Sequence, residues 1–268
     1  MKKLGLAILT SSLVLVGCSS STMTSTTGVD RKQLLLVSDS EINALSAQNY
    51  QETLAVARRA GVLNTNPAQR ARLQRITNRL IPQARVLRPE SANWAWEVNV
   101  IQDNELNAMC APGGKILFYS WLIDRLRLTD DEIAAIMGHE MAHALRDHGR
   151  ENVSRAYAQQ AGLSILSSVA GLSQGQTQLA GLVGELGVSL PNSRTQEREA
   201  DVLGLELMAR GGYNPNAAVT LWQKMMAAET TRSPQFLSTH PSSGNRVQSI
   251  QALIPTVMPL YQQAIGRR

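Results

Sequence analysis

Apolar positions recur at helical spacing over most of the chain and at a spacing of two over one short middle stretch. Ser38-Asp39-Ser40-Glu41 reads as a capping box that opens a helix running to about Ala60, where Gly61 ends it. Asn66-Pro67 starts a second helix, expected to stop near Leu80 ahead of Pro82. From Asn93 the period becomes two. Trp94, Trp96, Val98 and Val100 alternate with smaller or polar residues, which predicts a half-buried strand. Leu106 to Ala111 and Lys115 to Tyr119 predict two more, divided by Pro112-Gly113-Gly114, so a small antiparallel sheet is expected.

Helical spacing returns after Thr129-Asp130-Asp131-Glu132, a second capping box. Ile133, Ile136, Met137, Met141, Ala144 and Leu145 form the buried side of a helix expected to end near Gly149. Residues 161 to 190 are rich in Ala, Gly, Leu and Ser and broken by a polar run, which fits two small-residue helices or a mobile flap. Ser193-Arg194-Thr195-Gln196 caps a further helix closed by Gly211-Gly212; Asn214-Pro215 starts another, to about Glu229. A last helix is expected from Ser243 to Ile254. The pattern describes one α+β domain, mainly α, from Arg31 to Arg268.

The N-terminus obeys different rules. Lys2-Lys3, the apolar stretch Leu4 to Val16 and then Leu15-Val16-Gly17-Cys18 resemble the leader and lipobox of bacterial lipoproteins. That resemblance implies a signal peptide over residues 1–17, a lipidated Cys18 and a flexible tether over 18–30. Ser19 rather than Asp follows the cysteine, which favours the periplasmic face of the outer membrane. Loss of Lys2 and Lys3 takes the formal net charge from +5 to +3, too mild a balance to imply a nucleic-acid partner. Cys110 is then left without a partner in the chain, as a buried small hydrophobe or as half of an intermolecular disulfide. Eight Arg and no carboxylate lie between Thr53 and Pro89, with Arg72, Arg75 and Arg79 on one face; a solvated face or a site for anionic lipid or an acidic partner fits them.

Candidate chemistry concentrates in Gly138-His139-Glu140-Met141-Ala142-His143. Histidines four apart on a helix lie one turn from each other, so His139 and His143 can reach one metal ion while Glu140 flanks a water on it. Catalytic zinc takes three protein ligands and keeps one position open. Glu197 is the candidate third ligand, with Asp201 one turn behind it to accept an N–H from a ligand imidazole, and Glu199 pointing away. His148 lies about 140° around the helix from His143, which suits a hydrogen bond or a helix-end charge better than ligation.

Together the HExxH segment, Asn107-Ala-Met-Cys-Ala-Pro112-Gly113-Gly114 leading to Ile116-Leu-Phe-Tyr-Ser, and Glu197-Arg-Glu-Ala-Asp201 resemble peptidase family forty-eight. That family includes HtpX, the CAAX prenyl protease and Oma-type proteases; the likeness is strongest to the soluble periplasmic lipoprotein branch of the LoiP and BepA kind. The resemblance spans roughly residues 38 to 255 and implies a gluzincin fold holding one Zn2+ per chain on His139, His143 and Glu197, with Glu140 as catalytic base. It implies polypeptide substrates, held extended along the strand Leu106 to Ala111. Misfolded or unassembled envelope proteins are the expected substrates, and outer-membrane assembly proteins are further candidate partners. His240, in His240-Pro-x-x-x-x-Arg246, fits a second catalytic role at the oxyanion, a fourth ligand that plugs the metal, or a structural turn histidine. A plugged or structural metal would make the chain a binding or chaperone-like lipoprotein instead.

Overall fold

Three hydroxyl caps decide where the principal helices begin. A computed structural model describes residues 18–19, 25–169, 192–229, 235–241 and 245–266. Ser38 opens α1 (Asp39–Arg59), Thr129 opens α4 (Asp130–Leu145) and Ser193 opens α6 (Arg194–Arg210). In each, the cap hydroxyl accepts the N–H of the third helical residue, whose side chain accepts the cap's own N–H. Each box is worth about 1 kcal/mol and leaves little freedom in helix register. Asn66 caps α2 (Pro67–Leu87), its side chain accepting from the Gln69 N–H.

Two helices run on past their expected ends at Leu80 and Ile254. α2 passes through Pro82, and α9 (Arg246–Gly266) passes through Pro255 and Pro259. All three prolines lie on exposed faces, where water can take the carbonyls they leave unpaired. The proposed signal peptide 1–17, tether residues 20–24, most of the small-residue stretch (170–191), the loop 230–234 and positions 242–244 lie outside the described residues.

The sheet is mixed rather than antiparallel. A 3-10 turn, Pro89–Asn93, and the irregular residues Trp94 to Trp96 precede the first strand of the sheet, so β3 covers only Glu97–Ile101. β4 (Ala108–Ala111) and β5 (Lys115–Tyr119) form the expected hairpin, but the spatial order is β3-β5-β4, with β3 parallel to β5. The connection from β3 carries the chain past the place β5 will fill, and the hairpin then returns β5 into the gap. At the hairpin, Gly114 sits at φ 81°, and a Cβ there would meet the Trp96 ring at 2.6 Å, so no other residue fits. β4 is left as an edge strand.

Helices cover both faces of this sheet. Val98, Val100, Ile116 and Phe118 pack into the main core with Leu73, Ile76 and Leu80 of α2, while Ile101 and Leu117 pack against Tyr50 and Leu54 of α1. Tyr50 donates to the Ile116 carbonyl at 2.8 Å and accepts from Asn99, which explains how β3 tolerates a buried amide. β3 is therefore covered on both sides and not half-buried.

α4 is the axis of the molecule: every residue from Glu132 to Leu145 is buried, between α2, α6 and α7 (Asn216–Glu229). Its approach to α6 runs through glycine on glycine. A Cβ at Gly138 would lie 2.7 Å from the Gly204 carbonyl oxygen, and one at Gly204 2.7 Å from the His139 nitrogen. α4 ends at Leu145, ahead of the expected Gly149, because Asp147 turns the chain at φ 53° and α5 (His148–Val169) starts in a new direction. α3 (Ser120–Arg125) and the short α8 (Gln235–Thr239) complete the described helices.

The ordered body also begins before Arg31. β1 (Cys18–Ser19) pairs antiparallel with β2 (Gln33–Leu34). The Thr26 and Thr27 N–H groups donate to buried Glu206, and the Leu36 and Val37 N–H groups to Ser154. The segment from Thr26 to Val37, which takes in part of the expected tether, is thus a strap laid over α5 and α6, because those helices carry buried carboxylates and hydroxyls that need donors. Among the described residues no helix is long and apolar enough to cross a membrane. In the Arg-rich stretch, Arg72 pairs with Asp130, Arg79 donates to the Gly211 and Gly212 carbonyls, and Arg88 is buried between Asp39 and Asp147; Arg75 stays exposed.

Candidate metal centre

One turn of α4 carries both histidines of the HExxH to the same side, and the glycine contact brings α6 close enough for Glu197 to meet them. His143 Nε2 lies 3.1 Å from His139 Nε2 and 3.2 Å from Glu197 Oε1, and His139 Nε2 lies 3.4 Å from Glu197 Oε2. His240 arrives from the end of α8, its Nδ1 3.0 Å from Glu197 Oε1 and 3.3 Å from His139 Nε2. Ligand atoms of His139, His143, Glu197 and His240 all fall within 4.8 Å of one another, and all four residues are buried.

These donors suit zinc: imidazole nitrogens and a carboxylate, converging from three elements. The pattern of satisfied atoms says the same. The far nitrogens of both HExxH histidines are engaged, His139 Nδ1 with Asp201 Oδ1 at 3.0 Å and His143 Nδ1 with His148 Nδ1 at 2.8 Å, which leaves both Nε2 atoms for a cation. Glu140 Oε1 is buried without a hydrogen bond, and such an acceptor is costly unless a ligand completes it; Glu197 Oε2 has no well-directed hydrogen bond either, only the charge of Arg246 at 3.1 Å and His139 Nε2 at 3.4 Å.

The electrostatics are those of a cation site. Burial alone would lower His139, but hydrogen bonds to Asp201 and Glu197 outweigh it and raise it to about 9. Burial works against charge on Glu197 as well, yet His143 and His139 hold its carboxyl far below the usual carboxylate range. Metal binding to imidazoles so placed is coupled to proton release. Burial pushes Glu140 up to about 8, opposed by His139 and by a hydrogen bond from the Cys110 N–H. Burial lowers His143, and takes His240 down to about 3.

His240 is held by its own small framework. Phe236 stacks on its ring at 4.4 Å, the Phe236 N–H donates to the Leu106 carbonyl, and the Asn192 N–H donates to the Thr239 carbonyl. α8 is thereby fastened to the connection that precedes β4. The cleft between them is lined by Ala108, Cys110, Glu140, His143, Asn192 and Thr239. Cys110 itself is a buried free thiol.

Three residues take parts that sequence reasoning did not give them. Arg246 donates to Asp201 at 2.6 Å, lies 3.1 Å from Glu197 Oε2 and stacks over Trp222 at 3.5 Å. Its place in the His-Pro-x-x-x-x-Arg element was the available signal. His148 is not among the metal-facing ligand atoms, as its helical angle predicted, but the turn at Asp147 folds it back onto His143. Glu199 points away from the metal-facing atoms, as expected, and there it accepts from His148 and Arg31.

Comparison with known proteins agrees with this geometry. Residues 67–254 match the family described as Peptidase family M48. The mitochondrial metalloendopeptidase OMA1 of Schizosaccharomyces pombe is 36% identical over 162 residues, which cover 60% of this chain and 47% of its own length. The metalloprotease LoiP of Escherichia coli is 30% identical over 242 residues, 89% of this chain and 91% of its own. The metalloprotease YcaL of the same bacterium is 24% identical over 255 residues, covering 93% of this chain and 96% of its own. This chain thus spans about half the length of the OMA1 protein and nearly all of the two bacterial ones. The match runs from α2 into α9 and takes in every residue of the converging donor set, so the chain belongs to peptidase family M48, a family of zinc metallopeptidases.

Proposed function

We propose that the chain is a zinc-dependent endopeptidase of the bacterial envelope that cuts misfolded or unassembled polypeptides. The observation that carries this reading is the convergence of His139 Nε2, His143 Nε2 and Glu197 on one buried point, with the unsatisfied Oε1 of Glu140 beside it. Zinc held there supplies a Lewis acid for the scissile carbonyl and lowers the pKa of a water to about 7. Glu140 takes the proton from the attacking water and delivers it to the leaving amine, its buried Oε1 lying without a hydrogen bond in the cleft beside the donor set. Asp201, bonded to His139 Nδ1 and held by Arg246, keeps that imidazole's Nε2 aimed at the ion.

The edge strand β4 suits an extended substrate. Its Cys110 N–H already reaches Glu140, and its Ala108 N–H is capped by the Asn107 side chain, a bond that a substrate carbonyl can replace. Main-chain pairing of this kind is indifferent to sequence, as expected of an enzyme that recognises unfolded chains.

One observation favours a second reading. His240 joins the same cluster of donor atoms and lies 3.4 Å from Glu140 Oε1, so in this second reading it would be a fourth ligand that plugs the metal. In that state the chain binds polypeptides without cutting them. One experiment separates the two readings: cleavage of a reduced, denatured protein by zinc-loaded, chelator-stripped and zinc-restored chain, alongside His240→Ala. The enzyme reading expects activity that chelation removes and zinc restores. A plug predicts that His240→Ala cleaves faster than the parent, whereas an oxyanion role predicts a loss of roughly 10²-fold or more. A parent and a His240→Ala protein that are both inert with zinc bound would sink the peptidase reading.

Anchoring through a lipidated Cys18 on the periplasmic face of the outer membrane completes the proposal. It is supported by the lipobox-like run Leu15-Val16-Gly17-Cys18. Cys18→Ala is expected to move the protein from the outer-membrane fraction into the soluble periplasm; continued sedimentation with membranes would refute the anchor.

A further inference from the structure

A metal-binding imidazole must present a bare nitrogen, and for His143 that nitrogen is Nε2, so its proton belongs on Nδ1. The partner of Nδ1 is another imidazole, His148 Nδ1 at 2.8 Å, and two ring nitrogens bond only if one carries a proton and the other does not. Which of them carries it is decided further away. His148 Nε2 lies 3.0 Å from Glu199 Oε2, and a carboxylate only accepts, so the His148 proton sits on Nε2. His148 Nδ1 is then bare and accepts from His143.

Glu199 is kept a carboxylate by cations. Arg31 Nε donates to its Oε1 at 2.7 Å, and Arg146 Nε lies 3.3 Å from its Oε2. Arg31 is itself fixed, gripping both oxygens of buried Glu151 at 2.8 Å, while Arg146 Nη2 donates to the Arg31 carbonyl. Without Glu199 as acceptor, His148 is free to take its other tautomer and donate from Nδ1. His143 would then carry its proton on Nε2, pointing into the ligand cluster.

We propose that His148, Glu199 and Arg31 are positioning residues, a relay that runs from the N-terminal strap to His143 and holds it in the tautomer that binds metal. Arg31 lies outside the matched residues 67–254, so the strap contributes a component that the family match does not contain. The inference rests on His143 being a metal ligand and adds what makes it one.

The test uses the full chain and reads zinc affinity by competition with a chromogenic chelator, with melting of the metal-free protein measured in parallel. His148→Leu removes the acceptor, and zinc affinity is expected to fall about 10- to 100-fold. His148→Asn places an amide oxygen near the lost Nδ1 and is expected to stay within about threefold of the parent. Arg31→Met is expected to weaken zinc about tenfold by releasing Glu199. A His148→Leu protein with parental affinity, or an Asn variant as weak as the Leu one, would overturn the relay. Parental affinity in Arg31→Met would overturn the strap's part in it. His143→Ala is the control: if it binds zinc as the parent does, the metal-site reading fails, and the relay with it.

Discussion

Glu140→Gln protein that has kept its zinc is expected to cleave an unfolded substrate about 10²- to 10⁴-fold more slowly than the parent. The substitution preserves shape and removes the ability to take a proton. Glu140 Oε1 lies in the cleft with no hydrogen bond of its own, and His240 Nε2 is 3.4 Å away. The Cys110 N–H can still donate to the amide oxygen of a glutamine, so the side chain keeps its orientation. Glu140 is outside the four-residue donor cluster, and zinc content is therefore expected to remain at one ion per chain. The metal-free variant should melt no lower than the parent, because a buried amide is easier to accommodate than a buried carboxylate that lacks a partner. Cleavage rate, zinc stoichiometry and melting temperature read the three expectations separately. A zinc-replete Glu140→Gln that matches the parental rate would take the proton-transfer role away from Glu140.

Gly204→Ala is expected to damage both fold and metal site without touching a ligand. The added methyl would stand 2.7 Å from the His139 nitrogen and 2.8 Å from its Cα, where van der Waals contact needs about 3.5 Å or more. Both obstacles are backbone, so no side chain can swing aside. α4 and α6 must separate by on the order of 1 Å, and the distance between His139 and Glu197 grows with them. Overpacking of this kind destabilises by about 1–3 kcal/mol or more, and zinc affinity falls because two of its ligands sit on α4 and one on α6. Gly149→Ala is the matched control. Its methyl would find only Pro112 Cγ, at 4.0 Å, and in a helix it is expected to be neutral or stabilising by up to ~1 kcal/mol. Melting curves and zinc competition on the two variants measure the difference. A Gly204→Ala protein as stable and as zinc-avid as the parent would show that the helices have slack at this contact.

What could be read in advance and what could not divide along one physical line. The caps at Ser38, Thr129 and Ser193 were legible because a capping box is a contact between residues three apart. The pairs His139–His143 and Glu197–Asp201 were legible because helical periodicity fixes which side chains share a face, whereas their meeting across two helices was expected from the family resemblance. The helix break at Asp147 was not, since the residue adopts a left-handed backbone without being glycine or preceding proline. His148 was judged by its angle on a helix that in fact stops before it, so its hydrogen bond was expected but its partner was not. Pro82 was read as a stop, and the last helix was ended at Ile254, because nothing local says which face of a helix will meet water. The order β3-β5-β4 and the Gly138–Gly204 contact depend on elements far apart in the chain, and no short pattern encodes them. Residues 25–30 look like a linker by composition; only the buried carboxylate of Glu206 gives them a place to bind.

The strap also has a consequence for folding kinetics. Arg31 meets Glu199 across 168 positions, and Thr26 meets Glu206 across 180. Contacts with such separations form slowly, because the entropy of closing the intervening loop is lost before any contact rewards it. Anything travelling N-terminus first brings the strap out early and α6 late. The support behind His143 therefore comes together only after most of the chain is in place, which makes the metal site one of the last parts of this protein to mature.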